Sequence, residues 1–104
     1  IPYWDFDDPA IPNAPRDVSA GTILASAMIE IYGHTLDEKY LDYSKKVIAS
    51  LQSTDYILDS DFEAPFILDH STGNWPKNDE IDEPIVYGDY YFLETLIRLK
   101  NLKL

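Results

Sequence analysis

The chain has 104 residues, 45% of them apolar, which fits one domain and is enough for a packed core. Its formal charge is −11, from 19 acidic and 8 basic residues, so neither nucleic-acid binding nor adhesion to anionic membranes is expected. The absence of cysteine excludes disulfides, a thiol nucleophile and thiolate metal sites.

The sequence gives metal binding little support. The two histidines, His34 and His70, are 36 positions apart, so no helical zinc pair exists. Acidic clusters at 5–8, 59–62 and 79–83 offer the oxygen ligands that calcium takes, but solvated acidic loops are far commoner. We therefore expect no metal ion.

The chain opens with IPYWDF, without an initiator methionine and with large aromatic side chains at its edge. Because natural termini are usually polar and frayed, we expect a piece of a longer polypeptide, with a processed N-terminus as the alternative. The apolar segment 20–32 is too short and too interrupted to span a membrane.

The first predicted helix follows a proline-rich approach. Residues 1–16 hold four of the seven prolines, which disfavour helix. Asp17 or Ser19 is expected to cap the helix, and Gly33 is expected to end it as the residue after the C-cap. Its body, SAGTILASAMIEIYG, is apolar on nearly every face, which predicts burial all round.

The second predicted helix is amphipathic. Thr35 and Glu38 fit a capping box at its start, and it runs to about Leu51. Its apolar stripe is Tyr40, Leu41, Val47, Ile48 and Leu51, and its solvent-facing residues include Asp42, Lys45 and Lys46.

A third predicted helix follows a long stretch without periodicity. In residues 52–87, short extended pieces at 66–68 and 85–87 are candidates for weak pairing. The helix is expected from about Asp89 to Asn101, with Asp89 as its cap and basic residues near its negative C-terminal end.

The predicted order is therefore buried helix, surface helix, long loop and buried helix. Three helices cannot enclose two buried ones, and exposed apolar surface costs roughly 25 cal/mol per Å². We expect additional chain or another subunit to cover the apolar faces.

Three stretches span almost the whole chain: PYWDFDDPAIPNAPRDVSA at 2–20, HSTGNWPKNDEID at 70–82 and IVYGDYYFLETLIRL at 85–99. In this order they resemble the C-terminal portion of an unsaturated glucuronyl hydrolase of glycoside hydrolase family 88. The resemblance implies an all-α fold, in which residues 1–104 form part of a single (α/α)6 toroid domain. About three helices, inner, outer and inner, would be present with a long loop.

The resemblance also implies an activity. Members of the family act on lyase-produced oligosaccharides that carry a 4,5-unsaturated uronic acid at the non-reducing end. An aspartic acid protonates the double bond and helps water add at C5, and the resulting hemiketal opens and releases the remaining sugar. The two catalytic aspartates of the family lie upstream, so no catalytic residue is expected in this segment. No cofactor is implied.

The loop at 70–82 resembles the one that borders the sugar site. Some relatives carry serines and a lysine there that suit sulfated substrates. Here Asn74, Lys77 and Asp79 stand at the matching places, so a preference for 6-sulfated disaccharides is not implied. Lys77 is a candidate for an anion contact or a solvated lysine. Trp75 is a candidate for stacking on a sugar, with loop anchoring as the alternative.

Six further residues are candidates for substrate binding. Trp4 is more simply a core residue, and His70 more simply a loop hydrogen-bonder. Arg16 suits a carboxylate of the substrate or an ion pair with one of the aspartates at 5, 7 and 8. Asp17 and Asp89 are most simply caps, and Tyr87 precedes the last helix in the same way.

Two alternatives remain open at this point. One is an unsaturated rhamnogalacturonyl hydrolase, which shares the toroid and the hydration chemistry. The other is a non-catalytic helical module that binds carbohydrate or protein through its apolar helix faces. Under the leading interpretation the partners are an unsaturated uronate oligosaccharide and the remainder of the parent chain.

Overall fold

A computed structural model describes residues 1–58 and 65–102. Its three α-helices are α1, Val18–Thr35, α2, Glu38–Leu51, and α3, Val86–Asn101. A 3-10 turn at Trp75–Lys77 lies in the long connection before α3. Because α1 packs against both α2 and α3, it is the central helix of the group. None of these described helices has the length and apolar character needed to cross a membrane.

The boundaries of α1 confirm one prediction and correct another. Asp17 caps the helix, and its carboxylate accepts a hydrogen bond from the Ser19 amide at 3.1 Å. The helix does not end at Gly33. It continues to Thr35, and the left-handed residue is Leu36, with φ 57°. A Cβ at Gly33 would have no neighbour within 4 Å, so that glycine meets no steric requirement.

The capping box predicted for α2 is wrong. Asp37 is the N-cap, and its carboxylate accepts from the Lys39 amide at 3.1 Å. Thr35 instead belongs to the last turn of α1, where its hydroxyl donates to the Ile31 carbonyl at 3.0 Å. Aspartate is a strong cap, and Asp37 also lies 3.4 Å from the Lys39 ammonium, so it competes well with threonine for this position.

The core lies where α1 meets the inner faces of α2 and α3. The α2 stripe is confirmed for four of its five residues: Leu41, Val47, Ile48 and Leu51 are buried, whereas Tyr40 is half-buried. Asp42, Lys45 and Lys46 are exposed, as predicted. The buried cluster consists of Val18, Ala25, Val47, Ile48, Leu51, Leu68 and Phe92.

Burial of α1 on all sides is not found within the described chain. Ala25 and Ile29 are buried, but Ile23 and Ile31 are 42% and 37% exposed. The same holds for α3, where four exposed apolar residues spaced by four, three and four positions form one stripe. We call this stripe, Val86, Tyr90, Leu93 and Ile97, the α3 flank. Three helices leave both surfaces without cover, as expected.

The extended pieces at 66–68 and 85–87 do not pair with each other. Leu68 forms an isolated bridge with Ile57, and residues 86 and 87 are already in α3. The described residues form only such isolated bridges. The backbone amides of Ile67 and Leu68 instead donate to the side-chain carboxylate of Asp89 in α3.

Candidate functional site

An open cleft of about 730 Å³ lies beside the N-terminal ends of α1 and α3. We call it the main cleft. Three segments line it: the approach to α1, the chain just after α2, and the loop before α3. Its lining residues are Asn13, Ala14, Pro15, Arg16, Asp55, Tyr56, His70, Trp75, Ile81 and Asp82. Three of the predicted site residues, Arg16, His70 and Trp75, therefore meet at one cavity.

Arg16 is held by neutral partners. Its guanidinium donates to the Ile1 carbonyl and, at 3.0 Å, to the Tyr3 hydroxyl, and its centre lies 4.1 Å from the Tyr3 ring centroid. The ion pair with the aspartates at 5, 7 and 8 is wrong, because over residues 1–58 and 65–102 no carboxylate lies within salt-bridge distance of Arg16. A positive charge thus stands at the cleft wall, as an anionic ligand requires.

Asp17 does more than cap α1. One carboxylate oxygen accepts from the Ser19 amide, from the Ser19 hydroxyl at 2.6 Å and from the Thr72 amide at 3.2 Å. The Thr72 hydroxyl returns a bond to the Arg16 carbonyl at 2.9 Å. Asp17 consequently joins the start of α1 to the loop that walls the cleft, and it does not line the cleft itself.

Asp89 is not a cap, which corrects the prediction. α3 begins three residues earlier, at Val86, after Ile85, whose side chain makes no capping bond. The Asp89 residue is only 7% exposed, and its two carboxylate oxygens accept from the amides of Ile67 at 2.9 Å and Leu68 at 3.0 Å. A carboxylate in the first turn is also favoured by the helix dipole. Asp89 thus fastens a second part of the loop to α3.

The loop from His70 to Glu83 is closed by its own backbone. Ser71 and Glu83 exchange two hydrogen bonds of 2.9 Å, and the Gly73 amide donates to the Glu80 carbonyl at 2.7 Å. The base of the loop rests on α1 through the Val18 amide and the His70 carbonyl, 3.0 Å apart. This frame sets the direction of every side chain that the loop sends into the cleft.

A close approach of the two helix starts supports this frame. A Cβ at Gly88, in the first turn of α3, would lie 3.3 Å from the Ser71 hydroxyl oxygen and 3.6 Å from the Ser19 Cα. The Ser71 hydroxyl oxygen in turn accepts from the Ser19 amide at 3.1 Å. Glycine at position 88 therefore lets α3, the loop and α1 meet without a gap.

His70 enters the cleft from a left-handed backbone conformation, with φ 69°. Its Nδ1 is 2.6 Å from Oδ1 of Asp82, which also lines the cleft. Its ring meets the Tyr56 ring edge-on, with centroids 6.1 Å apart. Sequence reasoning named His70 but missed Asp82 and Tyr56, because neither follows a helical or strand period, and their meeting depends on the folded loop.

The tip of the loop divides its predicted residues between the cleft and the outer surface. Trp75 is 43% exposed and lines the cleft. Asn74 and Lys77 do not line it, and their backbone groups bond within the turn, with the Lys77 amide donating to the Asn74 carbonyl at 3.2 Å. The Asp79 carboxylate also bonds within the loop, where it accepts a hydrogen bond from the backbone amide of Glu80 at 2.9 Å.

Tyr87 and Trp4 lie away from the cleft lining. The Tyr87 hydroxyl is next to Gly73, and burial raises the pKa of Tyr87, helped by the carboxylates of Glu80 and Asp17. Trp4 is 37% exposed and lines a separate shallow depression, so the core position favoured for it is not found.

The acidic clusters do not assemble a metal centre in the described ranges. There, no three side chains of histidine, aspartate or glutamate come together in a way that could hold a metal ion. The cluster at 59–62 lies outside the described residues.

Comparison with known proteins gives a consistent result. No family model matches the chain. The chain is 60% identical to an unsaturated glucuronyl hydrolase of Formosa agariphila, over 98% of its own length and 26% of that protein. It superposes on a solved unsaturated glucuronyl hydrolase specific for heparin with a TM-score of 0.93 and 38% identity, covering 99% of this chain and 28% of the other.

A third comparison adds a ligand in a relative. An unsaturated glucuronyl hydrolase mutant from Streptococcus agalactiae, solved in complex with dGlcA-GalNAc6S, superposes with a TM-score of 0.84 and 28% identity, covering 95% of this chain and 27% of that one. The chain thus spans about a quarter of the length of these relatives, and the superpositions support a segment of their helical toroid. In sequence and in fold, the chain belongs to the unsaturated glucuronyl hydrolases.

Proposed function

We propose that the chain is the C-terminal part of a hydrolase that hydrates the 4,5-double bond of unsaturated uronic acids at the non-reducing end of oligosaccharides. The carrying observation is the 60% identity to the Formosa agariphila enzyme along 98% of the chain. The main cleft, with a cation, an imidazole and an indole on its wall, supports the proposal independently. The reported relatives favour it over a rhamnogalacturonyl hydrolase or a binding module.

The proposed contribution of this chain is substrate binding. Arg16, which keeps its charge beside the cleft, is suited to the carboxylate of the unsaturated uronate. Trp75 presents an exposed ring on which a sugar face can stack. Asp17, Tyr87 and Asp89 act at the loop base, since their contacts are with the loop and the helix starts. Trp4, Asn74 and Lys77 line no part of this cleft, which gives them a weaker claim to direct contact.

The chemistry itself is proposed to come from the rest of the enzyme. An aspartic acid there delivers a proton to C4, and water adds its oxygen to C5 while returning a proton to that aspartate. The hemiketal then opens as the ring C5–O5 bond breaks, which leaves a ketone at C5 and a hemiacetal at C1. Collapse of the hemiacetal to an aldehyde moves its hydroxyl proton to the departing oxygen and releases the remaining sugar as an alcohol. General acid–base help of this kind contributes about 10²–10⁴-fold, and this chain would contribute by fixing the uronate against that acid.

The exposed apolar surfaces support the proposal that these residues form one domain together with the rest of a longer chain. The α3 flank borders an apolar groove of about 450 Å³ that Tyr90, Leu93 and Ile97 line together with Glu94 and Arg98. A stripe spaced by four, three and four residues is what one helix presents to another. We propose that a helix from the remaining three quarters of the enzyme covers it.

A chimera tests the proposed function. The matching segment of the Formosa agariphila enzyme is replaced by these 104 residues, and loss of the double-bond absorbance of an unsaturated disaccharide is followed. We expect kcat/KM within about ten-fold of the parent enzyme. A ten-fold loss corresponds to about 1.4 kcal/mol, which allows for imperfect packing between the exchanged segment and the rest of the enzyme. The isolated 104-residue chain is expected to give no turnover.

The control is a chimera in which Arg16 is replaced, Arg16→Ala, with Lys45→Ala on the exposed face of α2 as a matched loss of charge. KM is expected to rise at least ten-fold for the first variant only, since the charged hydrogen bonds of Arg16 are worth about 1.5–3 kcal/mol. A chimera that folds but does not act on the disaccharide, or turnover by the isolated chain, would contradict the proposal.

A further inference from the structure

The short segment that carries His70 is held from both sides by carboxylates, of which that of Asp89 is buried and that of Asp17 half-buried. On one side Asp89 binds the Leu68 amide at 3.0 Å, and on the other Asp17 binds the Thr72 amide at 3.2 Å. Between them, the His70 carbonyl accepts from the Val18 amide. The backbone of residues 68–72 is therefore fixed to the start of both α1 and α3.

Two residues with an uncommon backbone conformation meet at the cleft. His70 has φ 69° and Asp82 has φ 55°, values in the left-handed region that few residues other than glycine adopt. Their side chains join at 2.6 Å, from Nδ1 of His70 to Oδ1 of Asp82. Where surrounding structure holds strained residues together at a cleft, a functional role is a reasonable hypothesis.

The contact with Asp82 fixes which ring nitrogen carries hydrogen. An ionised carboxylate only accepts, so the His70 Nδ1 must be the donor, and in the neutral ring Nε2 is then an acceptor. Nε2 lies 3.9 Å from the Asp69 carboxylate, beyond hydrogen-bond distance, and the side chain is 40% exposed at the main cleft. Of the described charged groups, Asp55, Asp69, Asp82 and Arg16 surround it.

We propose that Asp82 is a positioning residue that holds the His70 imidazole with Nε2 as an acceptor for a sugar hydroxyl of the substrate. This rests on the proposed function. The two side chains then contact different groups of the substrate. Arg16 binds the carboxylate of the sugar, and His70 accepts a hydrogen bond from a neutral hydroxyl. A cation that binds the carboxylate would not recognise that hydroxyl.

The first test uses the 104-residue chain labelled with ¹⁵N at histidine. Long-range ¹H–¹⁵N spectra, whose nitrogen shifts distinguish the two neutral tautomers from the protonated ring, are recorded at about pH 8.5, where histidine in model peptides is neutral. We expect His70 to be a single Nδ1–H tautomer, and Asp82→Ala to convert it to a mixture. The ring of His34, at the far end of α1, is the internal reference. Glu83→Ala, which removes the carboxylate next to Asp82 in the sequence, is the control variant.

Addition of an unsaturated disaccharide to the same sample extends this test. We expect the Nε2 resonance of His70 to move in the unmodified chain and in Glu83→Ala, and to move less in Asp82→Ala at the same disaccharide concentration. A mixture of tautomers in the unmodified chain, or no movement of Nε2, would overturn the assignment, and neither result depends on catalysis.

The second test is kinetic and uses the chimera. Asp82→Ala is expected to raise KM about five-fold with kcat within about two-fold, the size of one lost neutral hydrogen bond. Asp82→Asn should restore KM, because its amide oxygen also accepts from Nδ1–H, whereas a merely structural role of the charge would not be rescued. An inactive parent chimera would refute the proposed function. An active one in which Asp82→Ala matches Glu83→Ala would refute the positioning role alone.

Discussion

The polar end and the apolar flank of α3 differ in how far the chain satisfies them. At the N-terminal end, Asp89 is buried with both oxygens bonded, and Gly88 lets the helix touch α1 and the loop. Along the α3 flank, Val86, Tyr90, Leu93 and Ile97 are between 46% and 69% exposed. The polar groups at the N-terminal end of α3 therefore have partners within the chain, whereas the apolar side chains along its flank do not.

The difference indicates which atoms are needed to complete each region. The polar end is built from residues of this chain alone, so the loop that walls the main cleft can form within it. The flank needs atoms from outside the chain, since apolar side chains gain about 25 cal/mol for each Å² removed from water. Four predictions test this difference between the polar end and the α3 flank.

Asp89→Ala should have the largest effect. It leaves the amides of half-buried Ile67 and buried Leu68 without an acceptor, and an orphaned buried donor costs about 1–3 kcal/mol. We expect the free energy of unfolding in urea to fall by about 3 kcal/mol. Asp42→Ala, an exposed aspartate on α2, should change it by less than about 0.5 kcal/mol. Equal effects of the two variants would mean that the polar end is not held as described.

Ile97→Lys probes the α3 flank in two settings. In the 104-residue chain Ile97 is 59% exposed, and the change should alter stability by less than about 0.5 kcal/mol. In the chimera, where we propose that a neighbouring helix covers the flank, burial of the lysine should cost about 2 kcal/mol. Tyr43→Lys on the exposed side of α2 is the control in both. No difference between chain and chimera would show that the flank stays open.

Two glycine substitutions should change the free energy of unfolding in opposite directions. Gly88→Ala places a Cβ 3.3 Å from the Ser71 hydroxyl oxygen at the closed polar end, and we expect a loss of about 1 kcal/mol. Gly33→Ala meets no atom within 4 Å and lies inside α1, so it should gain about 0.5–1 kcal/mol from helix propensity. Urea unfolding measures both, and a gain at position 88 would mean that the helix starts are not in tight contact.

The alkaline dependence of stability should carry the smallest effect. Burial, together with the carboxylates of Glu80 and Asp17, raises the pKa of Tyr87 above its ordinary value of 10.0. The native state then holds this proton more tightly than the unfolded chain does. Stability is unaffected below about pH 10 and falls as the pH rises above it.

Tyr87→Phe should therefore remove part of the decline in unfolding free energy above about pH 10. Tyr43→Phe on the exposed face of α2 is the control. An unchanged slope in Tyr87→Phe would place the hydroxyl in solvent rather than at the base of the loop.

Local rules accounted for the helices better than for their ends. Asp17 and Asp89 both fit a capping rule, but only Asp17 has the extended backbone of a cap, with φ −123°. The partners of Asp89 lie about twenty positions earlier in the chain, so no local pattern identifies them. Similarly, Asp37 rather than Thr35 caps α2 because two competent caps stood close together.

The cleft was only partly predictable for the same reason. Arg16, His70 and Trp75 were found through their residue type and through resemblance to a family whose fold the superposition supports. Asp82 and Tyr56 were missed because a loop closed by backbone hydrogen bonds brings them to His70. Such closure depends on pairing across the loop, which leaves no periodic trace in the sequence.

The way in which the loop is anchored has a consequence for engineering. Its base is fixed by Asp17 and Asp89, and its neck by the bonds between Ser71 and Glu83, whereas residues 74–79 extend beyond these ties. Exchanging that hexapeptide as a cassette should leave the scaffold beneath it undisturbed, and under the proposed function it should change which sugar substituents are recognised.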